Sequence, residues 1–182
     1  AAENIADLGA TPKKNRTTFR LWAPTASNVA VCTYDSGSGR ATAVHEMAFD
    51  GHTGAWEAQV SRDLSGSYYR YAVDVAVNGM GLVRNLVTDP YSVSLTTDSK
   101  RSYVADLDAP ALKPKGWDAT RAPNTVKAQT DMVIYELHVR DFSINDPSVP
   151  AQKRGKYTAF GETDSNGMRH LKALAKAGLT DI

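Results

Sequence analysis

The chain opens with a long region in which apolar and polar residues alternate. From Thr17 to Leu95 apolar side chains recur at every second position, and clusters of Gly, Pro, Asn, Asp and Ser interrupt them. This period is typical of short antiparallel strands. We therefore predict five strands, at Thr17–Trp22, Val29–Tyr34, Ala43–Phe49, Ala55–Val60 and Tyr68–Val77.

The same alternation predicts which side chains face a buried core. In the longest predicted strand Tyr69, Tyr71 and Val73 share one face, while Arg70 and Asp74 share the other. This alternation is typical of a sheet that buries one face. We expect an all-β, immunoglobulin-like sandwich in which the inward side chains are Phe19, Val31, Trp56, Val60, Tyr69, Tyr71 and Val73.

A segment without periodicity follows this region. Residues 107–130 contain three prolines and few apolar residues, which is typical of an extended connector. We therefore predict three parts: a sandwich over residues 1–106, a linker over 107–130 and the start of a second domain over 131–182.

The second domain begins with a different pattern. The run MVIYELHV, residues 132–139, is almost continuously apolar and predicts a strand buried on both faces. Apolar residues then recur at helical spacing from Met168 to Ala175, with Ser165 or Asn166 as the cap and Gly178 after the end. A strand, a helix and a second strand form a parallel βαβ unit, which alone leaves a face and both edges uncovered. We expect the chain to be a fragment of a protein that continues past Ile182.

A long loop connects the predicted strand and helix. It runs from Asp141 to Ser165, longer than most connections in compact domains, and loops of this length are usually functional or disordered. Because it contains Tyr157 and Phe160, we expect an ordered wall with both rings packed inward and with bends at Gly155 and Gly161. The alternative is a mobile surface loop.

Composition removes several classes of function. The formal net charge of +1 offers no excess of positive charge for many phosphate contacts, so nucleic acid is not an expected partner. The sequence has no apolar run long enough to span a membrane. With one cysteine and four scattered histidines it shows no zinc spacing, and no cofactor site is evident.

Three aromatic residues are candidates for stacking on a sugar ring. Trp56 lies on the apolar side of its strand, which predicts core packing. Trp22 lies on the face opposite Phe19 and Leu21, and it is expected to pack against the following domain. Tyr68 is the aromatic residue we expect to be exposed.

Five segments of the chain resemble a known enzyme family. FRLWAPTASNVAV, TDPYSVSL and VIYELHVRDFS are similar to the α-amylase family of glycoside hydrolases (family 13). GKYTAFGE and HLKALAKAGLTDI are similar to its pullulanase-like debranching enzymes in particular. The resemblance implies a starch-binding-type sandwich followed by the first βα unit of a (β/α)₈ TIM barrel.

The resemblance also implies an enzyme that hydrolyses α-1,6-glucosidic branch linkages in pullulan, starch and glycogen by a retaining mechanism. Its catalytic carboxylates would lie beyond residue 182, so no catalytic residue is assigned. The implied partners are an α-glucan and the remainder of the barrel, with structural calcium in the full enzyme and an extracellular or cell-surface location. The alternatives are a non-catalytic glucan-binding or structural module, or the front of an isoamylase or a glycogen-branching enzyme.

Substrate contacts are expected where the first barrel strand ends, because barrel active sites form on that face. His138 and Arg140 lie at that end, and Tyr157 lies in the following loop. The alternative is that His138, Arg140 and Asp141 form an ion pair and hydrogen bonds that anchor the loop.

Overall fold

The computed structural model of the protein describes residues 5–182. It divides into two compact units, one ending at Trp117 and the other running from Asp118 to Ile182. This division falls inside the predicted connector, and the boundaries at residues 106 and 131 stay predictions. No helix among the described residues is long and apolar enough to cross a membrane.

The first unit is a β-sandwich of two antiparallel sheets. One sheet has the strand order β1-β2-β6-β5, and the other has the order β4-β3-β7-β8 with β9 also paired to β7. The strands of the described residues are β1 Gly9–Lys13, β2 Arg16–Trp22, β3 Ala26–Tyr34, β4 Ala43–Glu46, β5 Ala48–Asp50, β6 Ala55–Val60, β7 Tyr68–Val77, β8 Gly81–Val87 and β9 Ser102–Tyr103.

The core lies between the two sheets and contains the predicted side chains. Phe19, Val31 and Tyr71 are fully buried, Trp56, Val60 and Tyr69 are buried beside them, and Val73 packs against the cluster from its edge. The predicted inward face is therefore confirmed. On the opposite face of the second sheet a smaller cluster of Cys32, Tyr34 and Ala72 is also buried. That face is therefore less exposed than expected for a sheet that buries only one face.

One predicted strand is wrong in its extent. The expected strand Ala43–Phe49 is two strands in different sheets, because β4 pairs with β3 whereas β5 pairs with β6. Between them Met47 is buried, and its N–H donates to the carbonyl of Val29. Strands β1, β8 and β9 were not expected, since Gly and Pro interrupt β1, β8 is largely exposed and β9 has only two residues.

The second unit contains two helices. They are α1, Val139–Ser143, and α2, Asn166–Lys176. The side chain of Ser165 accepts a hydrogen bond from the Met168 N–H, so the predicted cap is confirmed. After the helix Gly178 has φ +113°, and the N–H of Leu179 donates to the carbonyl of Leu174, which is a Schellman ending.

The apolar run MVIYELHV does not form the expected doubly buried strand. Ile134 makes a single parallel bridge with Asp181, and Val133 and Ile134 are exposed. A ladder needs backbone partners along its whole length. Here the partners are confined to Thr180 and Asp181, so pairing stops after one bridge.

The loop of residues 141–165 is ordered, as expected. Ser143, Val149 and Ala159 are buried within it, and two 3₁₀ turns cover Ala151–Lys153 and Tyr157–Gly161. The predicted inward packing is correct for Phe160, which stacks on Phe142 at 4.4 Å between ring centroids. It is wrong for Tyr157, which is 80% exposed because it begins a 3₁₀ turn whose buried residue is Ala159.

The two glycines expected to bend the loop differ in whether the position requires a glycine. Gly155 has φ +70°, and a Cβ there would lie 3.1 Å from Ile144 Cδ1. Both the backbone angle and the packing therefore require glycine. Gly161 does not have a positive φ and has open space around it, so the bend there needs no glycine.

Candidate functional site

The predicted substrate residues lie around the start of α1. His138 occupies the position before the helix, and Arg140 lies in its first turn. Asp141 is 3.6 Å from His138 Nδ1 and 3.3 Å from Arg140 Nη1. All three side chains are about two-thirds exposed or more: His138 is 72% exposed, Arg140 66% and Asp141 67%. An exposed cluster of this kind contributes little to stability, and the ion pair of the alternative interpretation is present.

Tyr157 lies at a separate groove in the second unit. A cavity of about 500 Å³ is lined by its ring, by Phe160 and by residues of the extended run. His138 and Arg140 are not among the lining residues, so the structure does not bring the three predicted residues to one surface. The other lining residues are Ile134, Glu136, Leu137, Val139 and Ile182.

Glu136 is the ionisable side chain of this groove that the sequence interpretation left aside. It is exposed and lines the groove together with Ile134, two residues earlier. In an extended chain residues two apart lie on one side. Leu137 and Val139, which have the opposite parity, line the groove as well, so alternation along the run gave no signal that selected Glu136.

Asp146 ties the loop to the start of α2. Its carboxylate accepts hydrogen bonds from the Ser148 hydroxyl at 2.6 Å, from Asn166 Nδ2 at 3.0 Å and from the Gly167 N–H at 3.2 Å. These bonds, with that of Ser148 first, lower the pKa of Asp146 to about 2. The carboxylate is therefore ionised at neutral pH, and it holds the loop at the positive end of a helix.

A buried polar network lies inside the sandwich. Asp89, from the segment TDPYSVSL, accepts hydrogen bonds from the Tyr69 hydroxyl at 2.7 Å and the Tyr71 hydroxyl at 3.2 Å. Its other oxygen accepts the Tyr91 N–H at 2.8 Å. Burial raises the pKa of Asp89 and of both tyrosines. This network fixes the segment to the core and is structural in character.

The three aromatic candidates take different positions. Trp56 is buried as expected, and its Nε1 donates to the carbonyl of Ala23 at 2.9 Å. Tyr68 is half-buried against Tyr103, whereas Trp22 is 48% exposed. The expectation that Tyr68 is the exposed residue of the three is therefore wrong, because β9 pairs beside it and partly covers its ring.

Comparison with known proteins identifies the protein family that the sandwich matches. Residues 7–92 match the family described as carbohydrate-binding module 48 (isoamylase N-terminal domain). The sandwich belongs to this family.

In the described part of the chain, no group of three or more His, Cys, Asp or Glu side chains is arranged to hold a metal ion.

Around this carbohydrate-binding module 48 domain the similarity extends over the whole chain. A pullulanase of Klebsiella pneumoniae is 44% identical over 186 residues, covering 100% of this chain and 17% of the relative. The chloroplastic pullulanase 1 of Arabidopsis thaliana is 38% identical over 178 residues, covering 96% of this chain and 18% of the relative. The predicted resemblance to pullulanase-like proteins is therefore confirmed, and this chain spans about a sixth of their length.

Solved structures agree with this result. The structure of the maltotriose complex of PulA from Klebsiella pneumoniae matches with a TM-score of 0.86 and 41% identity. The match covers 98% of this chain and 20% of that one. Both units are included at this coverage, so the similarity is not limited to the carbohydrate-binding module 48 domain.

Proposed function

We propose that the complete protein is a pullulanase-type glycoside hydrolase that cleaves α-1,6-glucosidic linkages in pullulan, starch and glycogen. The observation that carries this proposal is the 44% identity to a pullulanase over all of this chain. The maltotriose bound in a related structure supports an α-glucan as the substrate. A retaining reaction needs two carboxyl groups flanking the scissile bond, and the family resemblance assigns these to residues beyond Ile182.

The second unit is proposed to be the first βα unit of a (β/α)₈ barrel. Support comes from the parallel bridge between Ile134 and Asp181, with α2 between the two bridged segments. Barrel active sites form at the carboxyl ends of the strands. His138 and Arg140 follow such an end, and Tyr157 lines the separate groove along the same extended run. We assign them to separate parts of the rim of the glucan-binding cleft. An extracellular or cell-surface location stays a prediction from the resemblance.

The activity is tested by incubating the complete enzyme with pullulan and measuring the release of reducing sugar. We expect cleavage of pullulan and no cleavage of unbranched amylose, because amylose has no α-1,6 linkage. Release of sugar from amylose alone would contradict the assigned linkage.

The rim residues are tested by the variants Tyr157→Ala and His138→Ala in the complete enzyme, with Lys156→Ala as the matched exposed control. We expect a roughly five- to tenfold rise in KM for pullulan in the first two variants, as for the loss of one aromatic or polar contact. The control should keep the KM of the parent enzyme. Unchanged KM in both rim variants would leave only the ion-pair interpretation of His138.

An isoamylase is the second candidate, because the matched family carries the isoamylase N-terminal domain in its description. The two candidates differ in substrate. An isoamylase-type protein would debranch glycogen while leaving pullulan almost intact, and the ratio of the two hydrolysis rates separates them.

A further inference from the structure

A small cleft opens in the sandwich where β9 pairs with β7. It has a volume of about 300 Å³, at the small end of the range for ligand sites. Two tyrosines form one wall, and their rings meet edge to face with centroids 5.1 Å apart. The lining residues are Tyr68, Ser94, Leu95, Thr96, Tyr103 and Leu112.

Strand pairing holds the walls of this cleft in place. Tyr68 is paired with Tyr103 in the register of β7 and β9. On the other side of β9 the N–H of Tyr103 donates to the carbonyl of Ser94 at 2.9 Å, and Leu95 bridges to Ser102. Because these residues sit on hydrogen-bonded backbone, the cleft exists before any ligand binds.

The cleft offers hydroxyl groups that the protein itself does not use. Within the described residues no hydrogen bond forms at the hydroxyls of Tyr68, Tyr103 or Ser94, although a hydroxyl can donate one bond and accept two. Thr96 Oγ1 accepts the Arg101 N–H at 2.9 Å and keeps its own proton to donate. Several donors and acceptors therefore remain for a ligand.

The chemistry of the lining selects a neutral ligand. No acidic or basic side chain is among the lining residues, so no fixed charge favours an anion or a cation. Aromatic faces and two exposed leucines supply apolar surface beside the hydroxyls. A sugar ring combines an apolar face with a rim of hydroxyl groups and matches both features.

We propose that this tyrosine cleft, formed by Tyr68, Tyr103, Ser94 and Thr96, binds a short stretch of α-glucan on the sandwich. The choice of an α-glucan rests on the substrate class of the proposed function. The cleft lies wholly within the first unit, whereas the rim residues His138, Arg140 and Tyr157 lie in the second. The two sites can therefore be changed independently.

The test is calorimetric titration of the 182-residue chain with maltoheptaose. We expect saturable binding that weakens roughly fivefold or more in Tyr103→Ala, as for the loss of one aromatic contact. Removing only hydroxyls in the double variant Tyr103→Phe with Ser94→Ala should weaken binding at least about threefold. Met80→Ala, an exposed apolar residue of the same unit that does not line the cleft, serves as the matched control and should bind as the parent chain does.

The double variant decides the outcome if Tyr103→Ala does not fold, because it keeps the ring packing. Absence of saturable binding by the parent chain would overturn the proposal, as would parent-like affinity in a folded double variant. Neither result bears on hydrolysis of pullulan by the complete enzyme, which tests the proposed function separately. Conversely, failure of the complete enzyme to cleave pullulan would contradict the proposed function but not the binding of maltoheptaose at the cleft.

Discussion

Single residues in this protein show how burial changes the meaning of a polar side chain. Asp89 is almost fully buried and satisfies two tyrosine hydroxyls, whereas Asp141 is exposed and pairs only with its neighbours. Nothing in the local sequence distinguishes these two carboxylates. Their roles follow from the pairing of β7 with the residues after β8, which composition does not reveal.

Substitution of Asp89 tests the buried network. In Asp89→Ala the hydroxyls of Tyr69 and Tyr71 lose their acceptor, and we expect the free energy of unfolding to fall by about 2 kcal/mol at neutral pH. Asp63→Ala is the matched control, because Asp63 is exposed and caps only a turn at Ser65. The control should leave stability nearly unchanged. Urea denaturation measures both.

The same variant has a defined pH dependence. Because burial raises the pKa of Asp89, the folded state holds its proton more tightly than the unfolded state does. The part of its contribution to stability that depends on this proton is full below the unfolded pKa of about 3.9 and is lost as pH rises through the folded pKa. The hydrogen bonds from the two tyrosines supply the part that remains at neutral pH. The stability difference between the parent chain and Asp89→Ala should therefore be larger at pH 4 than at pH 7. A difference that grows with pH would show that the carboxylate prefers its ionised form.

Gly167 is a second residue whose identity the structure explains. A Cβ at this position would lie 2.6 Å from the ring of Phe142, which stacks on Phe160. We expect Gly167→Ala to lower stability by about 1 to 3 kcal/mol through overpacking. Gly161→Ala, with open space and no positive φ, is the control and should be nearly neutral. Equal melting temperatures for the two variants would refute this packing constraint.

At the scale of elements, the sequence predicted the central strands but not their borders. The alternation of apolar residues identified β2, β3, β6 and β7, because each buries one face against the core. It did not reveal that the predicted strand Ala43–Phe49 changes sheets at Met47, since a corner leaves the period unchanged. Only the choice of backbone partner separates β4 from β5, and that choice depends on residues far away in sequence.

The long loop was predicted to be ordered, but its anchors were not found. Tyr157 and Phe160 were chosen because aromatic residues are rare in disordered segments, yet small side chains at Ser143 and Ala159 occupy the interior. The hydrogen bonds of Asp146 to the start of α2 join positions about 20 residues apart. A pattern along the chain gives no sign of such a contact.

Asp146 provides the test at this scale. In Asp146→Ala the loop loses its bonds to Ser148 and to the start of α2, so we expect faster amide exchange at Gly167 and a lower melting temperature. The pKa of about 2 means that this stabilisation is present above the unfolded pKa near 3.9 and is lost as pH falls through about 2. Asp164→Ala, an exposed neighbour that makes no comparable bonds, is the control.

For the whole molecule, the proposed reaction requires more than this chain supplies. The retaining mechanism needs paired carboxyl groups about 5 Å apart on either side of the bond. In the second unit the carboxylates of Glu136 and Asp141 are exposed, and the groove at Glu136 is lined by a single acidic residue. We expect the 182-residue chain to release no reducing sugar from pullulan, while the complete enzyme does so at the same concentration. Measurable release by the chain alone would place catalytic groups within residues 1–182.

The corner at Met47 also determines where this fold can accept insertions and deletions. Met47 alone separates β4 from β5, so one added residue would turn the side chains of one strand to the opposite face of its sheet. The tip between β7 and β8 has no such restriction, because Met80 there is exposed and Gly79 has open space around it. Insertions and deletions among relatives should therefore occur in the turn between β7 and β8, whereas the number of residues between β4 and β5 should stay constant.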